Sequence, residues 1–122
     1  MIGIDAVSIS RIQAVCDHFG EKFLSRFLSL QEIALCQNSH LLNYQRIAGF
    51  WAAKEAISKA LGTGIGENLS FLDICLSKDS KGKPQATLTQ DKARYFGIHH
   101  IALSITHDQN LAIAVAFIQK AT

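Results

Sequence analysis

The sequence contains little proline, little cysteine and few charged residues. Its 122 residues include one proline and three cysteines, and 18% of them are charged. Because Cys16, Cys36 and Cys75 are odd in number, far apart and without a CxxC pair, they predict neither a disulfide framework nor a zinc site. We expect each of them to behave as a small buried apolar side chain.

Two further absences bear on location and partners. No apolar run reaches the roughly 18 residues that predict a membrane-spanning helix, and no signal peptide opens the chain. The formal net charge is only +2, which gives no indication of a polyanionic partner. We therefore expect a cytoplasmic protein that binds neither membranes nor nucleic acid.

What is present fits one domain, residues 1–122. This length lies in the ordinary range for a domain, and 48% hydrophobic residues are enough for a core. The chain shows no repeat, low-complexity tract or linker.

The pattern of apolar residues predicts the secondary structure. Residues 2–9 and 71–76 and the segment QATLT indicate strands, as do IALSIT and LAIAVAFI near the end. Helical spacing predicts helices over residues 10–19, 30–37, 42–61 and 90–96. Ser29 and Glu32 form a capping-box pattern, and Gly62 suits the end of the long helix. Helices mixed with antiparallel hairpins indicate an α+β fold.

The last strand has two different faces. Leu111, Ile113, Val115 and Phe117 point to one side, whereas alanines 112, 114 and 116 point to the other. The alanine face leaves room for a close helix or for a neighbouring subunit.

The long helix carries a polar stripe. At 100° per residue, one quarter of the circumference holds Trp51, Glu55, Ser58, Lys59 and Gly62. The opposite side holds Phe50, Ala53, Ile57 and Leu61, which can face the core. Glu55 and Lys59 are one turn apart, and the plain interpretation is a surface ion pair worth about 0.3–0.5 kcal/mol.

Asp5 gives this stripe a chemical alternative. It is the only charged side chain in the first ten residues, and an acid between apolar neighbours usually needs a partner. It could cap the next helix or lie at a strand edge. With Glu55 it also matches magnesium, which favours one or two protein carboxylates. The glycines of GTGIG (62–66) would let backbone N–H groups approach an anion.

Three more groups of residues have open roles. His107, in SITHD, could bind phosphate, transfer a proton or pack at a strand end. The lysines beside Gly82 could meet a phosphate or be solvated turn residues. Arg11, Lys22 and Arg26 could form a face for an acidic partner or a solvated helix surface.

Five blocks of the sequence resemble the holo-acyl-carrier-protein synthase family, the short bacterial 4'-phosphopantetheinyl transferases. They are GIDAVSISRI (3–12), RFLSLQE (26–32), WAAKEAISKALGTGIG (51–66), DICLSKDSKGKP (73–84) and SITH (104–107). The resemblance implies a mostly antiparallel sheet packed with one long central helix and shorter helices. It also implies transfer of 4'-phosphopantetheine from coenzyme A to a serine of apo-acyl carrier protein, with release of adenosine 3',5'-bisphosphate, in fatty acid biosynthesis.

The same resemblance assigns roles to residues. It implies that Asp5 and Glu55 bind magnesium with the pyrophosphate of coenzyme A and that Lys59 contacts this phosphate region, which makes all three catalytic. Arg11 and Arg26 would face acyl carrier protein, and the protein would be a homotrimer with active sites between subunits. The implied coenzyme A pocket comprises Ser58, Gly62, Thr63, Gly64, Gly82, Lys83, Pro84 and His107.

Three positions depart from the family pattern. Phe50 stands where an arginine is usual, so its phosphate contact is missing or comes from elsewhere, with Arg46 one turn earlier as a candidate. Trp51 replaces a phenylalanine, and Asp108 replaces a small hydroxyl residue.

Three other functions stay open at this point. A non-catalytic module for coenzyme A or a nucleotide would not need both Asp5 and Glu55. An oligomerising structural domain would use Glu55 and Lys59 as a surface pair. A broader phosphopantetheinyl transferase would serve other carrier domains.

Overall fold

A computed structural model describes residues 1–122. A short 3-10 helix at Phe71–Asp73 precedes β4, and the other elements follow in chain order: β1 (Ile2–Ser8), α1 (Ile9–Phe19), α2 (Glu21–Phe27), α3 (Leu30–Leu35), β2 (Gln37–Asn38), β3 (Leu41–Leu42), α4 (Tyr44–Ala60), β4 (Ile74–Lys78), β5 (Pro84–Leu88), α5 (Gln90–Phe96), β6 (Ile98–Asp108) and β7 (Leu111–Lys120). The α+β class and the antiparallel strands are confirmed. No helix combines the length and the apolar character that crossing a membrane requires.

The main sheet is antiparallel, with β7 between β1 and β6. Helix α4 packs across β1 and β7, and Ala112, Ala114 and Ala116 are fully buried beneath it. The alanine face therefore receives a helix of the same chain. The larger side chains of β7 lie on the outer face, where Phe117 remains 56% exposed.

Strand β1 touches α4 at a glycine. A Cβ built on Gly3 would lie 2.0 Å from the carbonyl oxygen of Ala56 and 2.6 Å from the amide nitrogen of Ala60. No side chain fits at that separation, so only glycine allows the strand to lie against the helix. This contact brings Asp5 on β1 near Glu55 on α4.

Several predicted helix ends are confirmed. Ser29 Oγ accepts from the amide of Glu32 (3.2 Å), and Glu32 Oε1 accepts from the amide of Ser29 (2.8 Å), as the capping box requires. Gly62 has a φ of 80°, which suits the residue after a helix. Helix α2 was not predicted; it starts directly after Gly20, and no side chain caps its first turn.

Two predicted boundaries are wrong. The long helix begins at Tyr44, because Asn43 Oδ1 accepts from the amide of Arg46 (3.1 Å) and caps it. Residues 37–42 instead form the small β2–β3 hairpin. Residues 71–73 are a 3-10 turn rather than strand, because Asp73 Oδ2 accepts from the amide of Ser70 (2.9 Å).

Burial also corrects two expectations. Ser58, placed on the polar stripe by its position, is fully buried, because α4 is covered on most of its circumference. Cys75 is exposed on β4 rather than buried. Cys16 and Cys36 are buried as predicted, and burial raises the pKa of their thiols to about 11 and about 12.

Strands β4 and β5 form a second antiparallel hairpin, and a buried ion pair connects the helices to it. Lys54 Nζ donates to Glu32 Oε1 (2.9 Å) and to the carbonyls of Phe27 (2.7 Å) and Phe71 (3.0 Å). Glu32 Oε2 accepts from the amide of Leu76 (2.7 Å). All three ammonium donors of Lys54 are thus satisfied, which compensates the cost of burying the charge.

Candidate active site

The two predicted carboxylates lie in one cleft. Asp5 is in the middle of β1, and Glu55 is on the facing side of α4. The cleft has a volume of about 380 Å³ and is lined by Asp5, Ala6, Val7, Arg11, Ile12, Val15, Phe23, Trp51 and Glu55. Burial first, and then the charge of Asp5, raises the pKa of Glu55, against a smaller lowering by Lys59.

Lys59 pairs with Asp5 rather than with Glu55. Its Nζ lies 2.7 Å from Asp5 Oδ1 and 3.2 Å from the carbonyl oxygen of Ile4. The Asp5 side chain lines the cleft and is 14% exposed, whereas the Lys59 side chain does not line the cleft and is 51% exposed. The plain surface pair between Glu55 and Lys59 is therefore not the arrangement found.

The carboxylates fit a divalent cation. The side chain of Glu55 makes no ion pair, and the negative charge of Asp5 disfavours its ionisation. A cation between the two groups would relieve this repulsion. No third histidine, cysteine or carboxylate joins them, which suits magnesium, an ion that keeps positions for water and phosphate oxygens.

The glycine turn after α4 offers open surface rather than free donors. The amides of Thr63 and Gly64 both donate to the carbonyl of Ser58, at 3.3 and 3.2 Å. The amide of Gly62 donates to Lys59, and Ser58 Oγ donates to the carbonyl of Glu55 (2.7 Å). Because these amides already donate hydrogen bonds in the turn that ends the helix, the expected approach of the turn amides to an anion is not supported.

The remaining predicted coenzyme A residues lie elsewhere. A cavity of about 160 Å³ is lined by Arg46, Gly49, Phe50, Lys78, Gly82, Pro84, Ile105 and His107. The structure thus brings Gly82, Pro84 and His107 together. Lys83 does not line this cavity, and its amide donates to Asp79 Oδ1 (2.9 Å) within the hairpin turn. The cavity shares no lining residue with the carboxylate cleft.

The predicted basic face is a groove with an apolar floor. Lys22 and Arg26 line it together with Val15, Phe19 and Phe23, and Val15 and Phe23 also line the carboxylate cleft. Arg11 lies in the cleft itself. The basic residues were predicted from the sequence and the aromatic ones between them were not; of these, Phe19 is 57% exposed.

Trp51 joins the cleft to the interior. Its ring lies 4.9 Å from that of Phe71, 5.1 Å from that of Phe27 and 5.8 Å from that of Phe23, measured between centroids. Aromatic rings at these separations stabilise one another beyond their burial. The cluster makes the apolar wall next to Asp5 and Glu55 rigid.

One lysine and two carboxylates between a strand and a helix could hold a divalent cation together with the phosphate oxygens of a substrate. The sequence pattern of the 4'-phosphopantetheinyl transferase superfamily matches residues 1–116. The chain belongs to this superfamily.

Similar proteins indicate which group within the superfamily the chain resembles. The chain is 55% identical over 120 residues to a holo-acyl-carrier-protein synthase of Nautilia profundicola, covering 98% of this chain and 100% of the relative. It is 51% identical over 118 residues to that of Helicobacter acinonychis, covering 97% and 99%. The crystal structure of the Helicobacter pylori synthase in complex with coenzyme A superposes with a TM-score of 0.92 at 51% identity, covering 98% of this chain and 100% of that one. Within the superfamily, the chain thus groups with the holo-acyl-carrier-protein synthases.

Proposed function

We propose that this protein transfers 4'-phosphopantetheine from coenzyme A to a serine of apo-acyl carrier protein, in fatty acid biosynthesis. The observation that carries the proposal is that Asp5 and Glu55 line one cleft while Lys59 pairs with Asp5, in a chain about half identical to holo-acyl-carrier-protein synthases. The serine oxygen attacks the phosphorus that bears pantetheine, adenosine 3',5'-bisphosphate leaves, and the serine proton passes to a water molecule, which keeps it or passes it on to Glu55.

The three residues divide the electrostatic work. Asp5 and Glu55 would hold a magnesium ion, and when bound it would supply Lewis-acid neutralisation of charge on the pyrophosphate. Lys59, half-exposed and paired with Asp5, stabilises negative charge that develops on the phosphoryl oxygens. Asp5 holds this ammonium through the 2.7 Å contact, so the charge is in place before substrate arrives.

The groove beside the cleft suits the carrier protein. Its apolar floor and basic rim, with Lys22 and Arg26, match an acidic helix that also has an apolar side. Because the groove and the cleft share Val15 and Phe23, a carrier seated there brings its serine towards Glu55.

We propose the homotrimer that the resemblance implies, and two observations support active sites between its subunits. The outer face of the main sheet exposes Ile2, Ile4, Leu111 and Phe117, and a patch of this kind marks a protein interface. The carboxylate cleft and the cavity at His107 are separate within one chain. Two neighbouring copies could place one of each around a single coenzyme A molecule.

Mass spectrometry of the carrier tests the reaction. We would incubate the protein with coenzyme A, magnesium and apo-acyl carrier protein, and expect a gain of about 340 Da, the mass of phosphopantetheine. EDTA should abolish the gain if the metal role is correct. No gain, with coenzyme A still bound, would favour a binding module or another carrier.

A further inference from the structure

The second hairpin is separate from the main sheet. Its two strands form a sheet of their own, in which β4 pairs only with β5. The turn between these strands nevertheless brings Gly82 and Pro84 to the cavity at His107. Because a substrate bound in that cavity needs the turn in one place, the contacts that hold β4 matter for binding.

One side chain covers the free edge of β4. The amide of Leu76 donates to Glu32 Oε2 over 2.7 Å, so it points away from β5. Glu32 is 2% exposed and comes from the first turn of α3. Its carboxylate thus takes the place that a further strand would occupy beside β4.

The same carboxylate is shared with α3 and α4. Its other oxygen, Oε1, accepts from the amide of Ser29 (2.8 Å) and from Lys54 Nζ (2.9 Å). Lys54 directly precedes Glu55, so Glu32 joins the helix of the carboxylate cleft to the hairpin of the other cavity. Glu32 itself lines neither the cleft nor the cavity.

Only a carboxylate satisfies all three donors. Both of its oxygens accept and neither donates, whereas a glutamine side chain has one oxygen and an NH₂ group that donates. In Glu32→Gln the oxygen would serve the two donors of Ser29 and Lys54, and the NH₂ group would then face the amide of Leu76. Two donors cannot pair, so β4 would lose its attachment while α3 and α4 keep theirs.

We propose that Glu32 is a positioning residue for coenzyme A, which it serves by holding the second hairpin through the amide of Leu76. The inference rests on the proposed function, since it concerns the same substrate. Without this attachment, coenzyme A must draw the hairpin into place as it binds, and its affinity falls with the fraction of molecules in which the hairpin is already there. The chemical step is unaffected, because Glu55 on α4 is not displaced.

Steady-state kinetics of Glu32→Gln test this role. We expect the KM for coenzyme A to rise about tenfold, the usual loss of one hydrogen bond to a charged group. The kcat and the KM for acyl carrier protein should stay near the wild-type values. Glu67→Gln makes the same change at an exposed glutamate and is the matched control, with wild-type constants expected throughout.

A second control separates positioning from loss of stability. Ile118→Ala shortens a buried side chain of β7 that lines neither the cleft nor the cavity. Instability lowers the fraction of folded enzyme, so this variant should lose apparent kcat and keep the wild-type KM. The same pattern in Glu32→Gln would overturn the positioning role.

Amide exchange followed by NMR shows whether β4 is released. The amide of Leu76 should exchange with solvent faster in Glu32→Gln than in the wild type, and that of Ala114, in the central strand of the main sheet, should not change. Wild-type protection of Leu76 in Glu32→Gln would overturn the attachment as the cause.

A double variant keeps the test decisive if Glu32→Gln does not fold. Glu32→Leu combined with Lys54→Met replaces the ion pair by apolar side chains of similar size, a change that proteins often tolerate, and it also removes the acceptor of Leu76. The KM for coenzyme A should rise as in Glu32→Gln. A wild-type KM would overturn the positioning role and leave the proposed function intact. A wild type that neither binds coenzyme A nor transfers from it would overturn the function itself.

Discussion

Lys59 and Asp5 form an ion pair of 2.7 Å between α4 and β1, although Glu55 lies one helical turn from Lys59. The pair leaves the carboxylate of Glu55 without a cationic partner from the protein and next to a second negative charge. The ion pair and the isolated carboxylate therefore give the cleft both a fixed positive charge and a place for a metal.

Glu55→Gln should abolish transfer and leave the fold intact. The amide keeps the size of the side chain but cannot provide the negative charge that a magnesium ion requires. Turnover is measured by the mass of the carrier and the fold by circular dichroism. Glu67→Gln, which changes an exposed glutamate, is the control. Near-normal turnover of Glu55→Gln would refute the role of Glu55 as metal ligand.

The stability of the metal-free protein should depend on Glu55 in a defined direction. Because its pKa is raised, the folded state binds the proton more tightly than the unfolded chain does. As the pH rises above about 4.3, the ordinary value for glutamate, the unfolded chain ionises first and the free energy of unfolding decreases. Thermal melts from acidic to neutral pH should show Glu55→Gln gaining on the wild type. A difference in Tm that does not change with pH would contradict this.

Lys54→Met should destabilise the protein severely. It leaves Glu32 buried without its cation, a change that costs about 3–5 kcal/mol. Urea unfolding gives the free energy directly. Lys120→Met changes a lysine that is exposed and should be within about 0.5 kcal/mol of the wild type. A similarly small effect for Lys54→Met would mean that the pair does not persist in solution.

Trp51 should report binding in the carboxylate cleft, because it is the only tryptophan of the chain and lines that cleft. Addition of coenzyme A with magnesium is expected to change its emission, and Glu55→Gln should remove the response. Trp51→Phe restores the residue of the family pattern and should keep transfer activity, at a cost below about 1.5 kcal/mol if the neighbouring rings repack. Unchanged emission on saturation would place coenzyme A away from this wall.

The outer face of the sheet should hold the oligomer together. Phe117→Asp buries a charge in the proposed interface, so we expect monomers by light scattering and loss of transfer, whereas Gln90→Asp, exposed at the start of α5 and outside the main sheet, should stay oligomeric. A mixture of Glu55→Gln and His107→Ala subunits should regain part of the activity if the two residues act across a subunit boundary. A mixture as inactive as its components would place both residues in the same subunit's site.

Local patterns predicted much of the fold. The capping box at Ser29, the glycine after α4 and the alternation along β7 depend on neighbouring residues, and all three are confirmed. Ion pairs between residues that are distant in sequence could not be predicted from such local patterns. Lys54 gives no local sign that it is buried against Glu32, and the choice of Lys59 for Asp5 depends on how β1 lies against α4.

The candidate site was predicted as a set of residues but not as an arrangement. The resemblance named His107 and Asp5 together, whereas the chain places them in separate cavities. Helical position put Ser58 at the surface, but packing against the sheet covers it. In each case the missing information was tertiary contact, which a periodic pattern does not contain.

The close contact at Gly3 sets the separation of β1 and α4 at the carboxylate cleft, and neither carboxylate takes part in that contact. Gly3 lies two residues before Asp5 in β1, and its hydrogen atom faces the carbonyl of Ala56 on α4. This contact sets the separation between the strand that carries Asp5 and the helix that carries Glu55. A single methyl group added there would act as a wedge and part the strand from the helix. A substitution at Gly3, which would touch neither the substrate nor the ion, would then be measured as weaker binding of the proposed magnesium ion.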